Sequence, residues 1–275
     1  LQVIILGSGS PLPDPERAGP STLVRTSVGD LLFDCGRGVL MRVAAAASSA
    51  SSLRALFLTH LHSDHITDLS DVFTTRWITS FAPNPLPVFG PAGTGALLHA
   101  TEAMLEPDIR YRLAHHDDLR WRPSATVSEV DHGVVFEEGA VRVTAAPTDH
   151  APVRPTAGFR IDDGERSVVI AGDTVPCAGL DELCAGADVL VHTVVRPDLI
   201  EPIGLPRLTD VLDYHSSVAD AAQTAARGAV RTLVLTHLVP APAAGTEQGW
   251  LDQAGAHFPG EVLVAGDLLT LDVAG

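Results

Sequence analysis

The chain has 275 residues, 45% of them hydrophobic, and a formal net charge of -16. That length buries a sizeable core, as one large or two small domains, and the charge argues against a long basic footprint on nucleic acid, since only 18 Lys and Arg stand against 34 Asp and Glu. Cys35, Cys177 and Cys184 are odd in number and lack C-x-x-C spacing, which excludes a disulfide framework and points to the reducing cytosol.

In chain order, "LQVIIL" opens the sequence as an apolar stretch too short for a signal segment or a bilayer span. "AAAASSASS" (44–52) reads as a helix end and a surface loop. "ALFL" (55–58) has no polar alternation and predicts a buried strand. It empties into "THLHSDH", which sets His60, His62, Asp64 and His65 within six positions. Imidazoles and a carboxylate are the ligand set of zinc and its borderline neighbours, and H-x-H-x-D-H is far more specific than a lone His pair. Positions 83–149 read as compact structure, with a helix at "GALLHATEAML" and strands after it. "AHHDDLRW" (114–121) is either a pocket rim or a solvated loop. Tyr111, Trp77 and Trp121 are either an aromatic wall or, by default, core residues.

The second half repeats one setting, an apolar strand with a coordinating residue at its end. "VRVTAAPTDH" brings His150, "SVVIAGDT" brings Asp173, "DVLVHT" brings His192 and "TLVLTH" brings His237. In layered α/β folds, sites gather where strand ends release side chains. Taken alone, Asp173 also reads as a turn or helix cap, His150 as a loop residue and His192 as a core histidine. Ser217 and Asp220 form a capping box that opens the helix "VADAAQTAAR", closed by Gly228, so His215 stands just before a helix N-terminus. No linker or internal repeat interrupts the chain, and 1–275 is expected to be a single domain.

These motifs together resemble the metallo-β-lactamase superfamily. "ILGSGSPLPDPERAGPSTLV", "LLFDCGRG" and "DYHSSVADAAQTAARGAVRTLVLTH" are similar to the LGTGxxxP…R, DCGEG and HSTxxEAAxxA…LxLTH segments of its ribonuclease Z branch, and "APTDH", "AGDTVPC" and "DYHSSV" resemble actinobacterial homologues of that branch. The resemblance implies an α/β fold, the four-layer αββα sandwich, with a dinuclear site at one edge. It implies that His60, His62 and His150 hold the first metal, that Asp64, His65 and His237 hold the second, and that Asp173 bridges them. Asp34 falls where the family keeps a carboxylate that orients the ligating imidazoles. Cys35 beside it reads as a small buried residue.

Two departures stand out. Ribonuclease Z proper inserts a long arm between the distal His and the bridging Asp, whereas His150 and Asp173 leave no room for one. The family also has a Glu, in "HEAT", that pairs with the histidine of "HST"; Thr193 replaces it, which leaves His215 without that orienting partner.

The implied function is a cytoplasmic, dinuclear zinc phosphodiesterase with two Zn2+ per chain, Mn2+ or Fe being open alternatives. Asp64 is expected to accept a proton from the nucleophile and His215 to donate one to the leaving oxygen. The partner is a phosphodiester, either small or an RNA 3′ end; no membrane partner is expected, and a homodimer is. Arylsulfatase-like and cyclic-nucleotide phosphodiesterase-like activities are the first alternative, and a non-catalytic module that kept the fold is the second. The missing arm and the net charge lead to the expectation that pre-tRNA is processed weakly relative to small diesters.

Overall fold

A computed structural model describes residues 1–243 and 245–273. Strands β1 (Gln2–Gly7), β2 (Ser21–Thr26), β3 (Gly29–Phe33), β4 (Ala55–Phe57), β5 (Leu86–Gly90) and β6 (Ala125–Glu129) form the first sheet in chain order. The second sheet is built from β7 (Gly133–Glu138), β8 (Val141–Pro147), β9 (Ala157–Asp163), β10 (Arg166–Ile170), β11 (Val189–Val195), β12 (Thr232–Val239) and β13 (Glu261–Val264), again in chain order. β14 (Leu269–Asp272) returns to the first sheet beside β1. Each sheet is mixed: β3 to β6 and β10 to β13 run parallel, and the remaining pairs are antiparallel.

The apolar runs are continuous because these strands are buried on both faces. Side chains alternate, so Leu31 and Phe33, then Ala55 and Phe57, point between the sheets, where they meet Val143, Phe159, Val168, Val191 and Val234. Their sequence neighbours Leu32, Leu56 and Leu58 point outward to Val39 and Val43 of α1 (Val39–Ala45). The one-turn α2 (Ser63–Ile66) follows β4, and α3 (Leu69–Ile78) and α4 (Thr94–His115) complete that outer layer through Leu69, Val72 and Leu98. Behind the second sheet, Val169, Leu190, Leu233 and Leu235 pack on α5 (Ala178–Cys184), α8 (Val218–Arg227) and α9 (Gln248–Gly255), while the short α6 (Pro197–Ile200) and α7 (Pro206–Thr209) lie in the connection after β11. Three apolar clusters thus separate four layers, the expected αββα sandwich.

The chemistry-bearing residues collect at one edge because β3, β4, β8, β10 and β12 all point their C-terminal ends there. The two sheets meet at that edge: the Ala157 amide donates to the Thr59 carbonyl across the seam at 2.9 Å. "AHHDDLRW" lies elsewhere. α4 starts at the site edge after β5 and runs back, so 116–124 precede β6 at the opposite edge, where His116, Asp118, Leu119 and Trp121 line a surface cavity with Ile78 and Phe81, away from the metal centre. The helix itself continues through Pro107 to His115, well past the stretch legible in the sequence. Trp77 is a core residue, and its indole donates to the Trp121 carbonyl at 2.8 Å.

Candidate metal centre

Two groups of side chains converge at the seam: His60, His62, His150 and Asp173, and beside them Asp64, His65 and His237. Within each group the ligating atoms lie within 4.8 Å of one another. One carboxylate oxygen, Asp173 Oδ2, links the groups. It lies 3.7 Å from His60 Nε2, 3.9 Å from His150 Nε2, 3.4 Å from His65 Nε2 and 3.6 Å from His237 Nε2.

Local backbone geometry aims these side chains. Asp34 (φ 57°) and His237 (φ 48°) both adopt the left-handed region, which costs an ordinary residue free energy and so must be imposed by the surroundings. At His237 the strand bulges, shifting the register of β11 against β12 after Thr193. Gly172 (φ 65°) precedes Asp173, and a Cβ there would lie 2.8 Å from Thr59 Cβ, so glycine is what lets the β10 end approach the other sheet.

Hydrogen bonds fix the rings. Asp34 Oδ1 accepts from the Thr59 amide at 2.8 Å, and Asp34 Oδ2 accepts from Thr59 Oγ1 and from His65 Nδ1, each at 2.8 Å. With its hydroxyl proton committed to Asp34, Thr59 Oγ1 accepts from His60 Nδ1 at 3.0 Å. His150 Nδ1 donates to the Tyr214 carbonyl at 2.8 Å. In all three rings the Nδ1 contact is directed outward, which turns Nε2 toward the centre.

The electrostatics suit a cation. Burial pushes the His60 imidazolium well below its ordinary range, lowers His62, and brings His150 down to about 4. These three rings are neutral at pH 7, the form that ligates. Burial alone would raise Asp173, but His237 and His65 outweigh it and hold the carboxyl well below the usual range. Burial likewise opposes ionisation of Asp64, and the bond from His237 overcomes it. His65 Nε2 and Asp173 Oδ1 are buried without a protein partner, which native interiors avoid unless an ion or water completes them. His60 Nε2 and His62 Nδ1 also face each other at 3.1 Å. The donor set and these orphaned atoms fit divalent metal.

The structure therefore brings together all seven side chains singled out in the sequence and places Asp34 behind them. His215 joins the same cluster, with Nε2 3.3 Å from Asp173 Oδ2. Its ring does have an orienting partner. Nδ1 donates to the Val211 carbonyl at 2.8 Å, while Thr193 Oγ1 is committed to the Gly172 carbonyl at 2.9 Å. Thr193 thus steadies the turn that carries Asp173. His192 stands outside the cluster as a fully buried core histidine, and the Cys35 thiol is pushed up by burial. Sequence reasoning missed Thr59 and the carbonyls of Tyr214 and Val211. Thr59 adjoins the motif, but a backbone carbonyl leaves no signal in residue identity.

A model of the beta-lactamase superfamily domain matches residues 30–238. A ribonuclease Z of Mycolicibacterium paratuberculosis is 55% identical over 275 residues, covering 99% of this chain and 98% of that protein. That coverage leaves no room for an arm of several tens of residues in the relative either, so the short spacing from His150 to Asp173 sets this chain apart from neither its relative nor the name that relative bears. Among solved structures, the metallo-β-lactamase fold protein YhfI from Bacillus subtilis superimposes with a TM-score of 0.74 at 22% identity, covering 98% of both chains. The short form of human tRNase Z superimposes with 0.73 at 24% identity over the whole of both chains.

Proposed function

The chain belongs to the beta-lactamase superfamily and, within it, to the ribonuclease Z family, and from that membership we propose that it cuts RNA at 3′ ends using two zinc ions held by the seven clustered side chains. It is a metal-dependent hydrolase of phosphodiester bonds. The observation that carries the two-ion reading is Asp173 Oδ2, a single oxygen within 3.9 Å of imidazoles from both groups. Five imidazoles and two carboxylates form a donor set suited to zinc.

When bound, the cations supply Lewis acidity toward water and toward the phosphoryl oxygens. The protein's own residues handle protons and orientation. Asp64 takes up the proton that the nucleophile gives up. His215 delivers one to the leaving oxygen from Nε2, since its Nδ1 is tied to Val211. Burial lowers the affinity of His215 for its proton, but the bond to Asp173 outweighs this and raises its pKa, which keeps an imidazolium available near neutral pH.

The sulfate-ester and cyclic-nucleotide alternatives are disfavoured, because relatives named ribonuclease Z match the whole chain at 51–55% identity. A non-catalytic module is disfavoured by the intact donor set. In this reading residues 1–275 act as one domain in the cytoplasm and as a homodimer, for which the exposed stripe of Met104, Pro107 and Tyr111 on α4 offers an apolar face. The test is turnover by zinc-loaded protein of a 3′-extended tRNA transcript, bis(p-nitrophenyl) phosphate, p-nitrophenyl sulfate and a cyclic nucleotide, with metal content by elemental analysis. Two zinc ions per chain and cleavage at the tRNA 3′ end are expected. Turnover confined to the sulfate ester or the cyclic nucleotide overturns the reading.

A further inference from the structure

All 18 basic residues of this acidic chain are arginine. Among the described residues most are spoken for. Arg25, Arg42, Arg54, Arg112, Arg122, Arg142, Arg154, Arg160, Arg196, Arg227 and Arg231 pair with carboxylates, and Arg17 and Arg76 are tied to main-chain carbonyls. Of those with no carboxylate partner, Arg110 and Arg120 lie toward the far end of α4 and beyond it, Arg166 begins β10 at the edge opposite the metal centre, and Arg207 is exposed on α7 in the connection after β11. Arg37 is different, because it stands at the rim of the centre.

Its placement follows from three main-chain contacts. The Cys35 amide donates to the His65 carbonyl at 2.8 Å, and a Cβ on Gly36 would lie 2.5 Å from the Asp64 carbonyl oxygen, so the two residues before Arg37 rest against Asp64 and His65. The Arg37 carbonyl accepts from the Gly19 amide at 2.8 Å, which fixes the base of the side chain. The side chain itself is exposed, and its one hydrogen bond is a long one from Nη2 to the Pro11 carbonyl, 3.4 Å. A guanidinium has five N–H donors in a planar fork suited to phosphate oxygens, and nearly all of this fork is free. It stands where the similar DCGEG turn carries a glutamate.

We infer that Arg37 is a substrate-binding residue that grips an RNA phosphate next to the one being cut, on the Asp64–His65 side of the centre. This rests on the ribonuclease reading. In a chain of net charge -16, long-range forces repel a polyanion, so a free fork at the rim supplies the local attraction that the chain as a whole lacks. A one-phosphate ester has nothing for it to hold, so Arg37 discriminates RNA from small diesters.

The experiment measures inhibition of bis(p-nitrophenyl) phosphate hydrolysis by a single-stranded RNA oligomer, at several salt concentrations, in zinc-loaded protein. For Arg37→Ala the inhibition constant is expected to rise about tenfold at low salt, and the slope of log Ki against log salt to shrink by about one. The loss in turnover of the chromogenic ester itself should be much smaller. Arg37→Lys should keep the slope and lose part of the affinity. Arg166→Ala removes the same charge at the far end of β10, seven positions and roughly 20 Å from Asp173, and should change neither quantity. An unchanged slope in Arg37→Ala, an equal slope change in Arg166→Ala, or no inhibition of the wild type overturns the inference. Inhibition without RNA cleavage would instead overturn the ribonuclease reading and leave Arg37 as an RNA contact.

Discussion

The two sheets hold their shares of the centre in different ways. The first contributes His60, His62, Asp64 and His65 from one short stretch, and one buried carboxylate, Asp34, steadies it by gripping both Thr59 and His65. The second contributes His150, Asp173 and His237 from well-separated strand ends and His215 from the turn before α8, and its braces are main chain: the Tyr214 and Val211 carbonyls, the β12 bulge and the close approach at Gly172. Orientation is therefore concentrated in one side chain on one side of the seam and spread over the backbone on the other. Side-chain substitutions behind the ligands should damage the first half more than the second.

The largest effect is expected at Asp173, where both halves meet. Asp173→Ala removes the oxygen shared by the two groups, and both metals and all hydrolysis should go. A variant that keeps two metals by elemental analysis would mean that the halves bind independently. Next comes His215→Ala, which should lower kcat by about 10²–10⁴ on substrates with an alkoxide leaving group, less with p-nitrophenolate, and leave metal content intact. Equal losses on both kinds of ester would refute the proton-donor role. Asp34→Asn keeps the volume and weakens the brace, and should lower metal affinity by about 10–100-fold in a competition titration with a chelator.

His192 probes the second sheet away from the metal. Burial holds it neutral, with a pKa of about 4 against an ordinary 6.5. The unfolded chain therefore takes up the proton first, and the contribution of the neutral ring is fully present above pH 6.5 and is lost as pH falls toward 4, by about 3 kcal/mol at most. Urea unfolding of wild type and His192→Gln across that window should show a shallower acid loss in the variant, and parallel curves would refute the assignment. The smallest effect is expected from Thr193→Val, about 1 kcal/mol of stability for one hydrogen bond to the Gly172 carbonyl, with kcat nearly unchanged. Thr193→Glu, which the family motif suggests as an improvement, should instead lower stability, because the position is buried and His215 already has Val211.

The same division explains what was legible in the sequence. "THLHSDH" declares itself because its donors are adjacent, and inner strands such as β1, β4 and β10 declare themselves because double burial makes them apolar runs, whereas the exposed edge strands β6 and β14 carry no such run. The capping box at Ser217 and Asp220 is local chemistry, and it is present as read. His150, Asp173 and His237 were each ambiguous alone, because their proximity is created only when parallel strands end at one edge. The partner of His215 was illegible for a further reason. Sequence likeness directed attention to a side chain at position 193, while the actual acceptor is the carbonyl of Val211, which any residue there would supply.

The seam also constrains the order in which the molecule can assemble. A cation held by Asp64 and His237 would close a loop of 173 positions, between two sheets that must each pair first. Long loops are slow to close, because their entropy is lost before any contact repays it. The complete site is therefore expected late in folding, after "THLHSDH", which alone brings four donors within six positions among the described residues. With metal bound, the completed site would act as a reversible staple between the N-terminal and C-terminal sheets, and metal affinity would become stability of the whole sandwich.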